Sequence, residues 1–390
     1  MTTHITQDEI IEFTREIIRT PSINPPGDTR QCAEILLNKF KKDHIDAEIV
    51  EGRSGACNVV ARLKGDGEGR SLLLNGHIDV VPPGEDWTVD PFGAEIKDHK
   101  IYGRGTSDMK SGIASMMAAM IGLKRSGAPF HGEILFMAVC DEETGSEYGT
   151  AYLLKKGFGK NADFAIVAEP TGLRVELGNR GLRWVDITVK GKASHAGRPH
   201  LGINAIVYGA KLVEAIQSVK FKDRNEAFEI PEPSLSVTVI HGGTKENIIP
   251  DRCDLVLDRR MIPGETTETV MKELQEVITP LLQEEKNVRI DVKMRPNYWD
   301  PYLLSEEEPI VQALVDSVRE VTGKEPGTGA KAGCTDGSHL FHLGRIPAVL
   351  FGPGNAGLSH KADEWVAIDN ILAATDVFSS LFNRLQIQPG

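Results

Sequence analysis

Apolar positions arrange the first part of the chain as an alternation of helices and strands. Behind Thr6 and Glu9, spaced as a capping box, "EIIEFTREIIRT" repeats its apolar residues at helical spacing, and "PSINPPGD" ends the helix. Continuous apolar runs then read as buried strands at "NVVARL", "SLLLNG", "GEILFMAVC" and "DFAIVAE". The long small-residue helix "MKSGIASMMAAMIGLKRSG" lies between the second and third of them. This order predicts an α/β fold with a mixed or parallel sheet covered by helices.

From residue 181 the pattern changes. Strand "LRWVDITVKG", helix "INAIVYGAKLVEAIQSV", strands "SLSVTVIHGG" and "CDLVLDRR", helix "TETVMKELQEVITPLLQEE" and strand "VRIDVKM" spell the ferredoxin-like βαββαβ order. After residue 296 the alternation resumes with "PIVQALVDSVREVTG", "IPAVLFG" and "NILAATDVFSSLFNRLQ". The predicted organisation is therefore a first domain in two parts, residues 1–180 and 297–390, around an inserted α+β domain at 181–296. A chain of 390 residues is longer than one hydrophobic core usually organises, which agrees with two domains.

Composition narrows the chemistry. A formal net charge of -12 and the lack of any Lys/Arg block disfavour nucleic acid as a partner. The first residues, "MTTHITQDEI", have neither a basic leader nor an apolar h-region, and no apolar run approaches the ~20 residues of a membrane span. The expectation is a cytoplasmic protein with no membrane partner. Five cysteines, scattered and never in a C-x-x-C pair, argue against disulfides or a thiolate metal site. Any metal would need His and carboxylate ligands.

Such residues gather where strands end. "SLLLNGHIDVVP" finishes a strand on His77 and Asp79, which project to one side, and in α/β sheets ligands bind at the carboxyl ends of strands. An imidazole ligand usually has a carboxylate on its second nitrogen, although a turn His beside a solvated Asp is the ordinary alternative. "YGRGTSDMKSG" puts Asp108 between a Gly-rich turn and a helix start, where it or Ser107 could equally be an N-cap. "FMAVCDEETGSEYG" ends a strand in Asp141, Glu142 and Glu143, like charges that repel unless a cation sits among them or the loop is solvated. "DFAIVAEPTG" ends on Glu169, and "GNAGLSHKADEWV" offers His360 on a loop. Together these form a ligand set for zinc or a similar divalent ion without any thiol.

At this point the chain resembles a known family. "GHIDVVP", "GRGTSDMKSG", "DEETGS", "AEPT" and "SHKADEWV" look like the signature segments of the M20-type metallo-amidohydrolases and peptidases. These include acetylornithine deacetylase, succinyl-diaminopimelate desuccinylase, aminoacylase and the glutamate carboxypeptidases. The resemblance runs in order over nearly the whole chain. It implies a zinc-exopeptidase-like mixed sheet flanked by helices, with the inserted ferredoxin-like domain serving as lid and dimer contact. It also implies two metals bridged by Asp108, one completed by His77 and Glu169 and the other by Glu143 and His360. Zinc is the expected ion, with cobalt or manganese as alternatives. Asp79 would orient His77, and Glu142 would be the general base and acid. Amide hydrolysis needs an activated water, a polarised carbonyl and a proton for the leaving amine; a metal pair ~3.5–4 Å apart supplies the first two, and a carboxylate that is not a ligand the third.

The inserted domain carries the remaining sites that the resemblance implies. His195 in "GKASHAGRPH" would stabilise the developing oxyanion, reaching into a partner's active site in a homodimer, although a surface-loop His is the plain alternative. Asn247 in "GGTKENIIPD" would contact substrate, and Arg260 in "DLVLDRRMIPGE" would hold a substrate carboxylate, unless Arg259 and Arg260 are ordinary strand charges. Arg180 in "GNRG" is a further candidate of the same kind, and Gly333 opens a small-residue substrate loop, "GCTDG". Ser338 stands where an Arg often follows the Asp-Gly pair in the family, which weighs against desuccinylation. "GPGNAG" matches G-x-G-x-x-G after a strand but opens no helix, so its glycines are better explained as letting a loop bring His360 to the metals. The function expected is removal of an acyl group from an N-acyl amino acid or related small amide, nearest to acetylornithine deacetylase. A zinc dipeptidase or carboxypeptidase is the alternative, and a non-catalytic metal- or amino-acid-binding protein a more distant one.

Overall fold

The computed structural model describes residues 5–386. The chain divides into two compact units. One comprises residues 1–179, 303–331 and 335–390; the other comprises 180–302 with 332–334.

The first unit is a mixed α/β fold built on a nine-stranded sheet. Its path runs Asp46–Arg53, Ala56–Lys64, Glu133–Val139, Ser71–His77, Phe164–Val167, Ala348–Leu350, Val175–Asn179 and Tyr302–Leu303, with Thr328–Lys331 pairing off Val175–Asn179. The four neighbours Glu133–Val139, Ser71–His77, Phe164–Val167 and Ala348–Leu350 are mutually parallel. Their carboxyl ends therefore open at one edge of the sheet, where ligands of such sheets bind. Ser71–His77 is buried along its whole length, as expected of a strand covered on both faces. Helices Gln7–Ile18, Ser111–Ser126 and Ile368–Gln386 pack together through Ile10, Ile18, Ala118 and Ile371. The predicted capping box is present: Thr6 Oγ1 accepts from the Glu9 amide at 3.2 Å, and Glu9 Oε2 accepts from the Thr6 amide at 3.3 Å.

The second unit is an antiparallel sheet in the order Ser234–Gly242, Arg252–Met261, Gly181–Lys190, Arg289–Trp299. Helices Ala205–Gln217 and Thr267–Glu284 follow the first and third of these strands in the chain, giving the βαββαβ order. Val185, Ile187 and Val189, alternating along Gly181–Lys190, face a core completed by Leu212, Leu255, Leu257 and Leu274. The last strand runs on to Trp299, past Pro296, because the proline falls in a register shift on an edge strand where no ladder hydrogen bond is lost. At the opposite edge, Ser234–Gly242 leaves Val239 and Ile240 exposed. None of the five cysteines forms a disulfide. Among the described residues no helix is long and apolar enough to cross a membrane.

Candidate active site

Parallel strands deliver the acidic residues to one edge of the first unit, and the loops there set their directions. His77 ends its strand fully buried, with Nε2 3.1 Å from Asp108 Oδ1. The other carboxylate oxygen of Asp108, Oδ2, lies 3.7 Å from His360 Nε2. His360 Nε2 is in turn 3.2 Å from Glu143 Oε2. Asp108 thus stands between two imidazoles, one oxygen toward each. Ligand atoms of Asp108, Glu143 and His360 all fall within 4.8 Å of one another. Glu143 Oε1 is buried without a hydrogen-bond partner, which a cation would relieve. The donor set is oxygen and imidazole nitrogen without thiol, so these residues fit a zinc-like divalent ion.

Asp108 does not cap the following helix, which starts at Ser111 with no side-chain cap bond. It lies in the turn Thr106–Lys110, and its peptide bond to Met109 is cis. Glu364, fully buried, fixes that turn: Oε1 accepts from the amides of Ser107 (2.7 Å) and Asp108 (3.0 Å), and Oε2 from Gly105 (3.2 Å) and Arg104 Nη1 (2.5 Å). Arg104 Nη1 also donates to the carbonyl of Lys361, next to His360. One buried ion pair therefore ties together the loops carrying Asp108 and His360. Glycines of "GPGNAG" allow the close approach. A Cβ at Gly352 would sit 2.5 Å from the carbonyl oxygen of Glu169, and one at Gly354 2.1 Å from that of Ser107.

Asp79 orients His77 differently from the expectation. His77 Nδ1 is 2.9 Å from the main-chain carbonyl of Asp79 and 3.7 Å from its carboxylate. The carboxylate is occupied elsewhere, accepting from the amides of Glu142 and Glu143 (both 3.2 Å) and from Asn24 Nδ2 (2.9 Å). It thereby positions the turn that bears Glu142 and Glu143. Asp141 turns away from the cluster, accepting from Thr144 Oγ1 and the Tyr148 amide. The three adjacent acids are thus separated by backbone geometry: Asp141 adopts φ 71° at the strand end.

The field at this edge is strongly acidic. Burial, then the charges of Glu169, Glu143 and Asp336, push the Glu142 carboxyl well above the ordinary carboxylate range, with His77 opposing. Burial likewise raises Asp336, to about 7; this residue accepts from Ser146 Oγ and from Thr150 Oγ1 (2.8 Å). Burial disfavours the charge on Asp108, but the hydrogen bond and charge of His77, with Lys331 and His360, outweigh it and hold the group below its usual range. Burial also works against a proton on His77, but the bond to Asp108 and the charges of Glu142, Asp108 and Asp79 prevail and raise it. A cluster of carboxylates that favours a proton on a buried imidazole favours a metal cation for the same reason. Glu169 ends beyond Phe164–Val167, and Lys331 Nζ is 2.9 Å from its Oε2.

The other predicted residues belong to the second unit. His195 and Asn247 come together, because Ser194–His195 pairs with Ile248–Ile249 and the Ala196 amide donates to the Asn247 carbonyl at 2.9 Å. Both are exposed. Arg260 is held in a fork by Asp258, at 2.7 and 3.1 Å, with Nη1 4.0 Å from Cys334 Sγ beside Gly333. Arg180 is buried and donates Nη2 to the Glu232 carbonyl at 3.0 Å and to Ser234 Oγ at 3.2 Å, which braces its own unit. Arg259 is fully buried against Glu265, Glu273 and the Phe221 ring, the structural partner of the pair. Sequence reasoning missed Asn24, Arg104, Lys331, Asp336 and Glu364 as parts of the site. The available signal was that Arg104, Asp336 and Glu364 fall inside motif segments, in "GRGTSDMKSG", "GCTDG" and "SHKADEWV".

The model of "Peptidase family M20/M25/M40" matches residues 73–384. The chain is 32% identical over 390 residues to succinyl-diaminopimelate desuccinylase 2 of Ruegeria sp. (strain TM1040), covering 95% of this chain and 93% of that one. A tripeptidase from Staphylococcus aureus subsp. aureus mu50 superposes with a TM-score of 0.82 at 24% identity, over 98% of this chain and 100% of that one. The Bacillus subtilis YXEP protein, a dinuclear metal binding peptidase from the M20 family, gives 0.74 at 16%, over 97% and 98%. The family match runs from the strand that delivers His77 through the loop that delivers His360, so the chain belongs to peptidase family M20/M25/M40 and is a metal-dependent hydrolase of amide bonds.

Proposed function

We propose that the protein is a binuclear amidohydrolase, working as a cytoplasmic homodimer, that removes the acyl group from an N-acyl amino acid or related small amide in the manner of an acetylornithine deacetylase. The observation that carries the two-ion reading is Asp108, with one carboxylate oxygen toward His77 and the other toward His360. His77 and Glu169 would complete one position, Glu143 and His360 the other, with zinc the natural ion for this donor set and cobalt or manganese as alternatives. A bound pair of divalent ions supplies Lewis acidity to the carbonyl and acidifies the attacking water. Glu142, 9% exposed and outside the converging ligand group, takes the water's proton and returns it to the leaving nitrogen. Asp79 holds the Glu142 amide so that this carboxylate keeps its direction during both transfers. Arg260 reads the substrate carboxylate, His195 and Asn247 meet the substrate from the partner subunit, and Gly333 borders the substrate loop. The exposed edge at Val239 and Ile240 suits a two-fold contact through the second unit.

Desuccinylation is the second reading, favoured by relatives about as long as this chain. Against it, position 338 is a buried, uncharged Ser. A hydrolysis screen of N-acetyl, N-formyl, N-succinyl and N-carbamoyl amino acids beside dipeptides decides the matter. The proposal expects the highest kcat/KM on an N-acetyl amino acid; preference for N-succinyl compounds selects the second reading, and preference for dipeptides overturns both.

A further inference from the structure

We infer that Lys331 makes the two metal positions unequal, because its ammonium already holds the carboxylate that one of the ions must share. The inference rests on the two-ion reading above. Lys331 ends the strand Thr328–Lys331, and its backbone is fixed by parallel pairing with Asn179. Its side chain is 13% exposed and that of Glu169 4%, with Nζ 2.9 Å from Oε2. Asp108, between the two positions, is the next negative charge acting on this ammonium.

At the position made by Asp108, Glu143 and His360 the carboxylate is paired instead with an imidazole, His360 Nε2 3.2 Å from Glu143 Oε2, a group that itself serves as a ligand when neutral. The ligand atoms there already converge, and Glu143 Oε1 has no partner to give up. At the Glu169 position an incoming ion must either accept one oxygen, leaving the other on the ammonium, or break a buried ion pair. It also acquires a positive neighbour in a medium of low dielectric, where charge repulsion is weakly screened. Binding is therefore staged: the Asp108–Glu143–His360 position fills first and the position containing Glu169 fills second, with lower affinity. Lys331 acts through Glu169 rather than on substrate.

The test is calorimetric titration of chelator-stripped, dialysed full-length protein with Zn2+ at fixed pH, with melting temperatures measured on the metal-free and loaded samples. Wild type should show two binding steps. Lys331→Met should tighten the weaker step by about tenfold or more, since a neighbouring cation lowers a carboxylate's affinity for positive charge on that scale, and leave the stronger step within about threefold. Lys331→Gln, which keeps a donor for Glu169 without the charge, should move the weaker step the same way if the Met variant folds poorly. Lys331→Arg should stay near wild type. Zn2+ should also raise the melting temperature of Lys331→Met by more than it raises that of wild type, since the ion relieves an uncompensated Glu169. A weaker step that is unchanged or loosened in both neutral variants, with melting temperatures lowered equally in metal-free and loaded protein, would make Lys331 a structural brace and overturn the inference. A single step of one ion per chain in wild type and variants alike would instead refute the two-ion reading, whereas a single step of two ions per chain in wild type would overturn the inference.

Discussion

Glu142→Gln separates the base from the ligands. The substitution keeps the side chain's shape and removes its capacity to accept a proton. Glu142 lies outside the group whose ligand atoms converge, which contains Asp108, Glu143 and His360. Bound metal should therefore stay near the wild-type ratio. Proton transfer by a positioned group contributes about 10²–10⁴-fold. The loss should fall on kcat, by about 10²–10⁴-fold or roughly 3–5 kcal/mol, with KM little changed. The neighbouring change Glu143→Gln should behave differently: it removes a carboxylate 3.2 Å from His360 with one oxygen unpaired, so metal is lost together with activity. The assay pairs steady-state kinetics on the best substrate of the screen with elemental analysis after dialysis. Equal metal loss and equal activity loss in the two variants would refute the division of roles, as would a Glu142→Gln enzyme retaining more than about a tenth of wild-type kcat.

Three further outcomes are expected. Arg260→Ala should weaken kcat/KM for carboxylate-bearing substrates by about tenfold or more, the scale of a charged hydrogen bond, and for their amide analogues much less; equal losses in competition kinetics would make the Arg structural. Glu142→Ala and His195→Ala proteins, each inactive, should recover roughly a quarter of wild-type activity when co-refolded, because about half the dimers are mixed and one site in two is then intact; mass-verified heterodimers without activity would rule out a shared site. Glu364→Ala should destabilise the protein by about 3–5 kcal/mol in urea unfolding, since it strands the buried Arg104, and should lower metal content because both ligand loops lose their tie. Unchanged stability and metal content would show that this buried pair fixes neither loop.

What the sequence reveals about this site is what local pattern encodes. A buried run ending on His77 and Asp79, or on Asp141 to Glu143, is visible because chemistry interrupts a hydrophobic period. Thr6 and Glu9 are visible because a cap spans three residues. Glu364 and Arg104 are 260 residues apart in the chain, and nothing local in "ADEWV" says that its Glu receives two amides from the Asp108 turn. Lys331 reads as an ordinary strand charge until folding sets it against Glu169. Strand Asp46–Arg53 escapes the hydrophobic pattern because it is a half-exposed edge strand with few apolar residues. Helix Arg30–Lys42 buries only a narrow stripe of Cys32, Ala33, Leu36 and Phe40, a weak signal beside its basic residues. Asp79 shows the limit in another way: its type and position were legible, but the hydrogen bonds that claim its carboxylate come from Glu142, Glu143 and Asn24.

The central claim is that divalent metal held by His77, Asp108, Glu143, Glu169 and His360 drives amide hydrolysis. Its most direct test is to strip purified protein with a chelator, remove the chelator by dialysis, and add Zn2+ back stepwise while measuring bound metal and hydrolysis of the preferred N-acyl amino acid on the same samples. The expected result is loss of activity on stripping and its return as metal binds, saturating at two ions per chain. Full activity in protein shown by elemental analysis to be free of metal would contradict the account.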